Sequence, residues 1–141
     1  MAYLDTSVLG SFYCRETLSE NVNVALRTLD RAAITEFVQV ELASLLSLKV
    51  RNGAMFLSTA RDAWQSFRRH RLGALYTMLP MRPEIYAIAT RWIVQFNTPL
   101  RAADATHLAA AYFHSQPLWT TDKLLASSAA LLHVPCRLIT L

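Results

Sequence analysis

The sequence has little glycine, cysteine or charge. It contains three glycines and two cysteines in 141 residues, and 17% of its residues are charged while 53% are hydrophobic. This composition excludes a disordered, collagen-like or low-complexity chain. Because the composition does not change along the chain and the length suits one core, we expect a single domain over residues 1–141.

Long apolar runs and metal-binding cysteine motifs are also absent. Polar or charged side chains interrupt every apolar stretch before the roughly 18 residues that a membrane helix requires, so we expect no membrane contact. Cys14 and Cys136 lie far apart without zinc-ligand spacing, which predicts buried free thiols. Met1 leads directly into an apolar segment and not into a secretory signal, so a cytoplasmic location is expected.

The charge that is present is basic and comes mainly from arginine. The net charge is +4, the isoelectric point is about 9.4, and twelve of the fourteen basic residues are arginines. Arginine makes forked contacts to phosphate, so the chain suits a polyanionic partner, although ordinary surface charge explains the same balance. The one dense basic run, residues 68–71, is either a solvated helix end or a phosphate-contacting edge.

Short apolar segments alternate with helical patterns along the chain. Strands are predicted at residues 2–4, 32–35, 76–79, 118–121 and 136–141, and helices after Asp5 and at residues 21–29, 36–50, 58–70, 83–97, 100–114 and 123–132. Ser58 is the predicted cap of its helix, and Phe96 is placed on the inner stripe of the helix that Pro83 opens.

The alternation predicts an α/β fold, a three-layer α/β/α sandwich around a central parallel sheet of four to five strands, because each parallel strand needs a crossover connection. Ligands of such sheets bind outside the carboxyl ends of the strands. Asp5 and Asp122 each directly follow a predicted strand. The sequence therefore predicts a polar site at that edge.

Four of the ten acidic residues, Asp5, Glu41, Asp104 and Asp122, occur in apolar surroundings. A poorly solvated carboxylate must be protonated, paired with a base or bound to a cation. Mg²⁺ and Mn²⁺ prefer carboxylate and water oxygens, so an all-acid set without cysteine or histidine pairs favours them over zinc. Each acid also has a structural explanation as a helix cap, a dipole partner or an exposed helix residue.

The segments around these acids resemble known signatures. They are residues 3–9 (YLDTSVL), 40–43 (VELA), 101–109 (RAADATHLA) and 120–122 (TTD). Together, in this order, they resemble the four signatures of PIN-domain ribonucleases, and within that family those of the VapC toxins of toxin–antitoxin pairs. The resemblance covers nearly the whole chain. It implies the α/β/α PIN fold, Mg²⁺ or Mn²⁺ as cofactor, and hydrolysis of RNA to products with 5′-phosphate and 3′-hydroxyl ends.

The resemblance assigns roles only to matching positions. It implies that Asp5, Glu41, Asp104 and Asp122 bind metal, and that Thr6 or Ser7 and Thr120 are supporting hydroxyls. A metal in such a site activates water and stabilises the charge of the transition state. It also implies a cognate antitoxin protein as partner, together with a homodimer.

His107 and Arg101 flank Asp104 at helical spacing. His107, three residues after Asp104, is either a ligand or general base, or a partly buried histidine hydrogen-bonded near the cleft. Arg101, one turn before Asp104, is predicted to pair with a carboxylate, the alternative being a substrate phosphate. The tryptophans Trp64, Trp92 and Trp119 each occur in an apolar stripe, which favours core packing over base stacking.

Three other functions compete with this interpretation. Leu4-Asp5-Thr6-Ser7 resembles the signature of aspartic proteases, but those use two such loops in an all-β fold, whereas this chain is rich in helical patterns. A haloacid dehalogenase-type phosphatase needs a second aspartate where Ser7 stands. A catalytically silent PIN-like module that binds RNA or protein should have lost one of the four acids, and all four are present.

Overall fold

The computed structural model describes all residues, 1–141, as five strands and seven helices. The strands are β1 (Ala2–Leu4), β2 (Ala32–Ile34), β3 (Tyr76–Met78), β4 (Leu118–Thr120) and β5 (Cys136–Leu138). The helices are α1 (Thr6–Tyr13), α2 (Ser19–Arg27), α3 (Glu36–Arg51), α4 (Leu57–Leu72), α5 (Pro83–Ile93), α6 (Ala102–Phe113) and α7 (Lys123–Leu131).

The five strands form one parallel sheet in the order β3-β2-β1-β4-β5. The chain therefore runs outward from β1 to β3, returns to β4 on the other side of β1, and continues to β5. The strand order reverses between β1 and β4, and the crevice at the carboxyl ends of such a strand pair is the usual ligand site of open α/β sheets. The α/β fold with a central parallel sheet is confirmed.

The helices pack in two groups that cover the sheet. Helices α1 to α4 contact one another, while α6 contacts both α5 and α7. The strands are too short to alternate between core and solvent, and every residue of β1 and β4 is buried. Their apolar side chains join one core of 31 buried residues, in which Trp92 and Trp119 take part as predicted. Burial on both faces explains why these strands are continuous apolar runs in the sequence.

The helix bounds differ from the predicted ones by up to four residues, and two of these differences change the position of a predicted residue. Helix α4 begins at Leu57, one residue earlier than predicted, so Ser58 lies inside the first turn and Phe56 occupies the cap position. Helix α5 ends at Ile93 because Phe96 adopts a left-handed conformation, with a φ of 56°, in the turn that follows. That turn closes the helix in the way a glycine usually does, and it leaves Phe96 87% exposed instead of inward-facing.

The two cysteines are free, as predicted, but only Cys14 is buried and Cys136 is half-buried at the start of β5. None of the seven helices combines the length and the apolarity that crossing a membrane would take.

Candidate active site

Asp5 occupies the carboxyl end of β1, where the strand turns into α1. Its side chain is buried and caps the helix by accepting from the Val8 N–H at 3.2 Å. Two hydroxyls also donate to it, Ser7 Oγ to Oδ1 at 2.6 Å and Thr120 Oγ1 to Oδ2 at 2.7 Å. Burial raises the pKa of Asp5, and the nearby His107 and the three donors oppose that rise.

The two hydroxyls are themselves oriented by the turn between β4 and α7. The Thr121 N–H donates to Ser7 Oγ and the Asp122 N–H donates to Thr120 Oγ1, each at 3.0 Å. With these backbone donors in place, the hydroxyl protons are free to point at Asp5. Hydrogen bonds from residues of α1 and β4 thus hold the Asp5 carboxylate between the carboxyl ends of β1 and β4.

Glu41 lies in the second turn of α3 and faces the same edge of the sheet. Thr6 Oγ1 donates to Glu41 Oε1 at 2.7 Å, and His107 Nε2 contacts the same oxygen. Burial disfavours the charged form of Glu41, but the hydrogen bonds from His107 and Thr6 and the charge of His107 outweigh burial and lower its pKa. Thr6 thus contacts Glu41, whereas Ser7 and Thr120 contact Asp5.

Asp122 and Asp104 complete the set of predicted acids. Asp122 caps α7, with Oδ1 accepting from the Leu124 and Leu125 N–H groups at 2.8 and 3.2 Å. Asp104 lies half-buried in the first turn of α6 and accepts from no other side chain. Its pKa is raised by burial and by the charges of Asp122 and Glu41, against the opposing effect of the Arg101 backbone and His107. The pKa of Asp104 thus reflects the charges of Asp122 and Glu41, as expected for carboxylates that lie near one another.

The four acids lie at the carboxyl edge of the sheet, but their side chains are not arranged to coordinate a metal ion. No three histidine, cysteine or carboxylate side chains converge closely enough to hold a metal ion. The donor chemistry nevertheless fits a hard divalent cation. Glu41 Oε2 and Asp122 Oδ2 accept no side-chain or capping hydrogen bond, and Asp104 accepts only from the Arg101 backbone, so each of these three carboxylates keeps an oxygen available.

The structural explanations for single acids also hold in part. Asp5 and Asp122 are both helix caps, and Asp104 lies at the positive end of a helix dipole. Glu41, in contrast, is half-buried and hydrogen-bonded, so it is not an exposed helix residue. The capping bonds of Asp122 engage only Oδ1. Both oxygens of Asp5 accept hydrogen bonds, but a carboxylate has about four lone-pair sites, so capping and ligation do not exclude one another.

The sequence missed part of the site and was wrong about Arg101. The Arg101 side chain is exposed and forms no ion pair, so the predicted pairing is wrong. Tyr3 and Thr35 were not predicted, yet both belong to a chain of hydrogen bonds that ends on His107. Tyr3 lies two residues before Asp5 in the same extended segment, which places both side chains on one face, and that spacing is the signal that could have revealed Tyr3.

The crowding of acids around Asp104 gives a prediction on stability. Because the pKa of Asp104 is raised in the folded state, its charged form destabilises the fold at pH 7. Without metal, Asp104→Asn should therefore raise the melting temperature by about 2 °C, a small shift because solvent screens a half-exposed group. The difference should shrink as the pH falls toward about 4, where the unfolded aspartate also becomes neutral.

The measurement is a thermal melt of both proteins in EDTA at the two pH values. Asp62→Asn, at an exposed position of α4, is the matched control. A lower melting temperature for Asp104→Asn at pH 7 would contradict the charge crowding at this edge.

A groove of about 540 Å³ opens beside the acids. Ser7 and Thr121 line it at the site, and Thr17, in the loop before α2, and Lys49, in α3, line it further away. Gly10 belongs to its wall, where a Cβ atom would come within 2.8 Å of Leu45 Cδ2. The groove is therefore lined by hydroxyls and by a lysine that pairs with Glu16 at 2.8 Å.

Comparison with known proteins gives a family and a set of similar folds. A family model described as PIN domain matches residues 2–131. No curated protein matches the chain. Among solved structures, Mycobacterium tuberculosis VapC20, described as a sarcin-ricin loop cleaving toxin, has 14% identity and a TM-score of 0.71, with 91% of this chain and 95% of that chain covered.

Two further solved structures are similar over nearly the whole chain. FitAcB from Neisseria gonorrhoeae has 22% identity and a TM-score of 0.68, with 96% of both chains covered. VapBC2 from Rickettsia felis, bound to a DNA fragment from its promoter, has 12% identity and a TM-score of 0.71, with 99% and 100% covered. At these identities the three likenesses establish the fold.

Proposed function

The chain belongs to the PIN domain family, and from that membership we propose that it is a metal-dependent endoribonuclease and the toxin of a toxin–antitoxin pair. The main support for the proposal is that Asp5, Glu41, Asp104 and Asp122 lie along the carboxyl edge of the sheet. The charges of Asp122 and Glu41 contribute to the raised pKa of Asp104. We take residues 1–141 as one domain of this kind.

These four carboxylates would hold Mg²⁺ or Mn²⁺, since carboxylate oxygens match the preference of both ions. When bound, such an ion lowers the pKa of water and stabilises charge on a phosphoryl oxygen. The uncompensated charge of Asp104 supports the assignment, because a nearby cation relieves the repulsion from Asp122 and Glu41.

The protein's own residues would hold the site in shape. Ser7, Thr120 and the Val8 N–H stabilise Asp5 as an anion despite its burial. Thr6 orients Glu41 through Oε1 and leaves Oε2 without a side-chain donor. Prearranged donors of this kind need no rearrangement during the reaction, which is the main electrostatic advantage of an enzyme site.

RNA is the substrate that the charge and the groove favour. The net charge of +4 attracts a polyanion, and the groove beside Ser7 and Thr121 offers hydroxyls that can bond to sugar and phosphate oxygens. The similarity to a toxin described as cleaving the sarcin-ricin loop supports structured RNA as the substrate class. Products would carry 5′-phosphate and 3′-hydroxyl ends.

A cognate antitoxin and a second copy of the chain are the proposed protein partners. The similar structures include one described as a toxin–antitoxin complex and one described as a member of the VapBC family of toxin–antitoxin systems, which supports the first. An open groove of about 560 Å³ between α3 and α4, lined by Val50, Leu57 and Trp64 among others, offers apolar surface for a partner segment. A cytoplasmic location remains a prediction.

One observation favours a second candidate, a catalytically silent PIN-like module that binds RNA or protein. No three of the acids converge as metal ligands, as they would in a prearranged site. Binding of RNA without cleavage, in the presence of Mn²⁺ as well as in EDTA, would support this module over the nuclease.

The experiment that tests the proposal combines cleavage and partner capture. Purified protein, freed of any partner, should cut structured RNA at few positions when Mg²⁺ or Mn²⁺ is present, and sequencing of the new 5′ ends should show phosphate. The product of a neighbouring gene should co-purify with the chain and relieve its toxicity. If RNA is cut but no such neighbour binds, the ribonuclease stands and the toxin–antitoxin assignment is wrong.

A further inference from the structure

We propose that His107 is a positioning residue that holds the carboxylate of Glu41, and that Tyr3 and Thr35 fix the proton of His107 on the nitrogen facing Glu41. The proposal rests on the proposed function, in which Glu41 is a metal ligand. It adds three residues to the site that do not touch the metal or the RNA themselves.

A continuous chain of contacts leads to Glu41 through the protein interior. Thr35 Oγ1 lies 3.2 Å from the Tyr3 hydroxyl, and that hydroxyl lies 2.8 Å from His107 Nδ1. On its other side, His107 Nε2 contacts Glu41 Oε1, which also accepts from Thr6. Thr35, Tyr3 and His107 are 0%, 0% and 4% exposed, so water does not compete for these bonds.

The chemistry of the groups fixes the direction of the chain. A carboxylate only accepts hydrogen bonds, so Nε2 of His107 must carry a proton. When the imidazole is neutral, Nδ1 is then an acceptor, and the Tyr3 hydroxyl must donate to it. The Tyr3 oxygen in turn accepts the proton of Thr35. Every donor has one acceptor, and the result is a one-way chain from Thr35 to Glu41.

The chain joins parts of the fold that are distant in sequence. Tyr3 comes from β1, Thr35 from the end of β2, Glu41 from α3 and His107 from α6. The ring of Phe37 lies 5.0 Å from the His107 ring at a 39° tilt and restricts the rotation of the imidazole. A fully paired buried network of this kind is rigid, so the orientation of Glu41 is set by the core and not by solvent.

The contacts at Glu41 separate its two oxygens. Oε1 accepts from both Thr6 and His107, and Oε2 accepts from no side chain. Donors that hold one oxygen of a metal-binding carboxylate orient the other, and loss of such partners usually lowers metal affinity or activity by about 10- to 100-fold. His107 therefore orients a metal-binding carboxylate without being a metal ligand itself.

Two substitutions distinguish positioning from packing. The amide nitrogen of His107→Gln reaches about as far as Nε2, so it can still donate to Glu41, whereas that of His107→Asn reaches only about as far as Nδ1. We expect His107→Gln to stay within about threefold of wild type in kcat and Mn²⁺ affinity, and His107→Asn to lose about 10- to 100-fold in both, with KM for RNA unchanged. Equal losses in the two variants would overturn the proposal.

Tyr3→Phe tests the far end of the chain, because it removes the donor to Nδ1 without touching Glu41. With ¹⁵N-labelled histidine at about pH 8, the wild-type His107 should show a protonated Nε2 and an unprotonated Nδ1. The His107→Gln variant identifies the signal, and Tyr3→Phe should shift it. A protonated Nδ1 in wild type would overturn the inferred direction.

The readouts keep this proposal separate from the ribonuclease assignment. If wild type binds Mn²⁺ with the expected order of variants but cuts no RNA, the proposed function fails and the role of His107 stands. If wild type cuts RNA while His107→Asn binds Mn²⁺ and cuts as wild type does, the ribonuclease stands and the role of His107 is wrong.

Discussion

Replacing Asp5 by asparagine is expected to lower the rate of RNA cleavage about a thousandfold, equivalent to about 4 kcal/mol of lost transition-state stabilisation. The change removes a negative charge at the buried carboxyl end of β1. The fold should survive, because an amide oxygen can still accept from Ser7 and Val8, and the Thr120 hydroxyl can turn to accept from the amide nitrogen. Single-turnover cleavage of a labelled RNA measures the rate, and circular dichroism measures the fold.

The matched control is Asp62→Asn, which removes the same charge from an exposed position on α4. It should cleave at the wild-type rate. If Asp5→Asn keeps its fold and its rate lies within about threefold of wild type, a difference of under 1 kcal/mol, Asp5 is a helix cap and has no part in the chemistry.

Removal of divalent metal is the second change with a large expected effect. In EDTA the cleavage rate should fall by at least about a thousandfold, because the carboxylates alone can neither activate water nor neutralise the phosphate. Excess Mg²⁺ or Mn²⁺ should restore it. The same RNA assay measures both steps with one protein sample.

A melting curve in EDTA serves as the control for this result. The loss of activity counts as loss of metal only if the protein remains folded, as the extensive apolar core predicts. Undiminished cleavage in EDTA would mean that the acids act as general acid and base or not at all, and the proposed chemistry would be wrong.

The pattern of short apolar runs and helices was enough to predict the sheet, because strands buried on both faces have few polar residues. It also predicted that Asp5 and Asp122 lie at one edge of the sheet, because residues that directly follow parallel strands lie at the same edge. In the structure they follow the neighbouring strands β1 and β4. Glu41 and Asp104 lie within helices, so their apolar surroundings and the resemblance to PIN-domain signatures, but no strand end, grouped them with the other two.

What the sequence could not predict depends on local backbone or on distant partners. The left-handed conformation of Phe96 ends α5 early, and nothing in the residue type indicates it. The contact of His107 with Tyr3 spans 104 positions of the sequence, so helical spacing alone related His107 only to Asp104. The exposed side chain of Arg101 likewise shows that proximity in sequence does not create an ion pair.

The central claim is that the four carboxylates together bind divalent metal. Calorimetric titration with Mn²⁺ tests this claim without any assumption about the RNA. Wild type should bind Mn²⁺ saturably, and Asp62→Asn should bind it equally well. Asp5→Asn, Glu41→Gln, Asp104→Asn and Asp122→Asn should each bind at least about tenfold more weakly, a loss of about 1.4 kcal/mol. No binding by wild type, or binding by all four variants at wild-type affinity, would contradict the account.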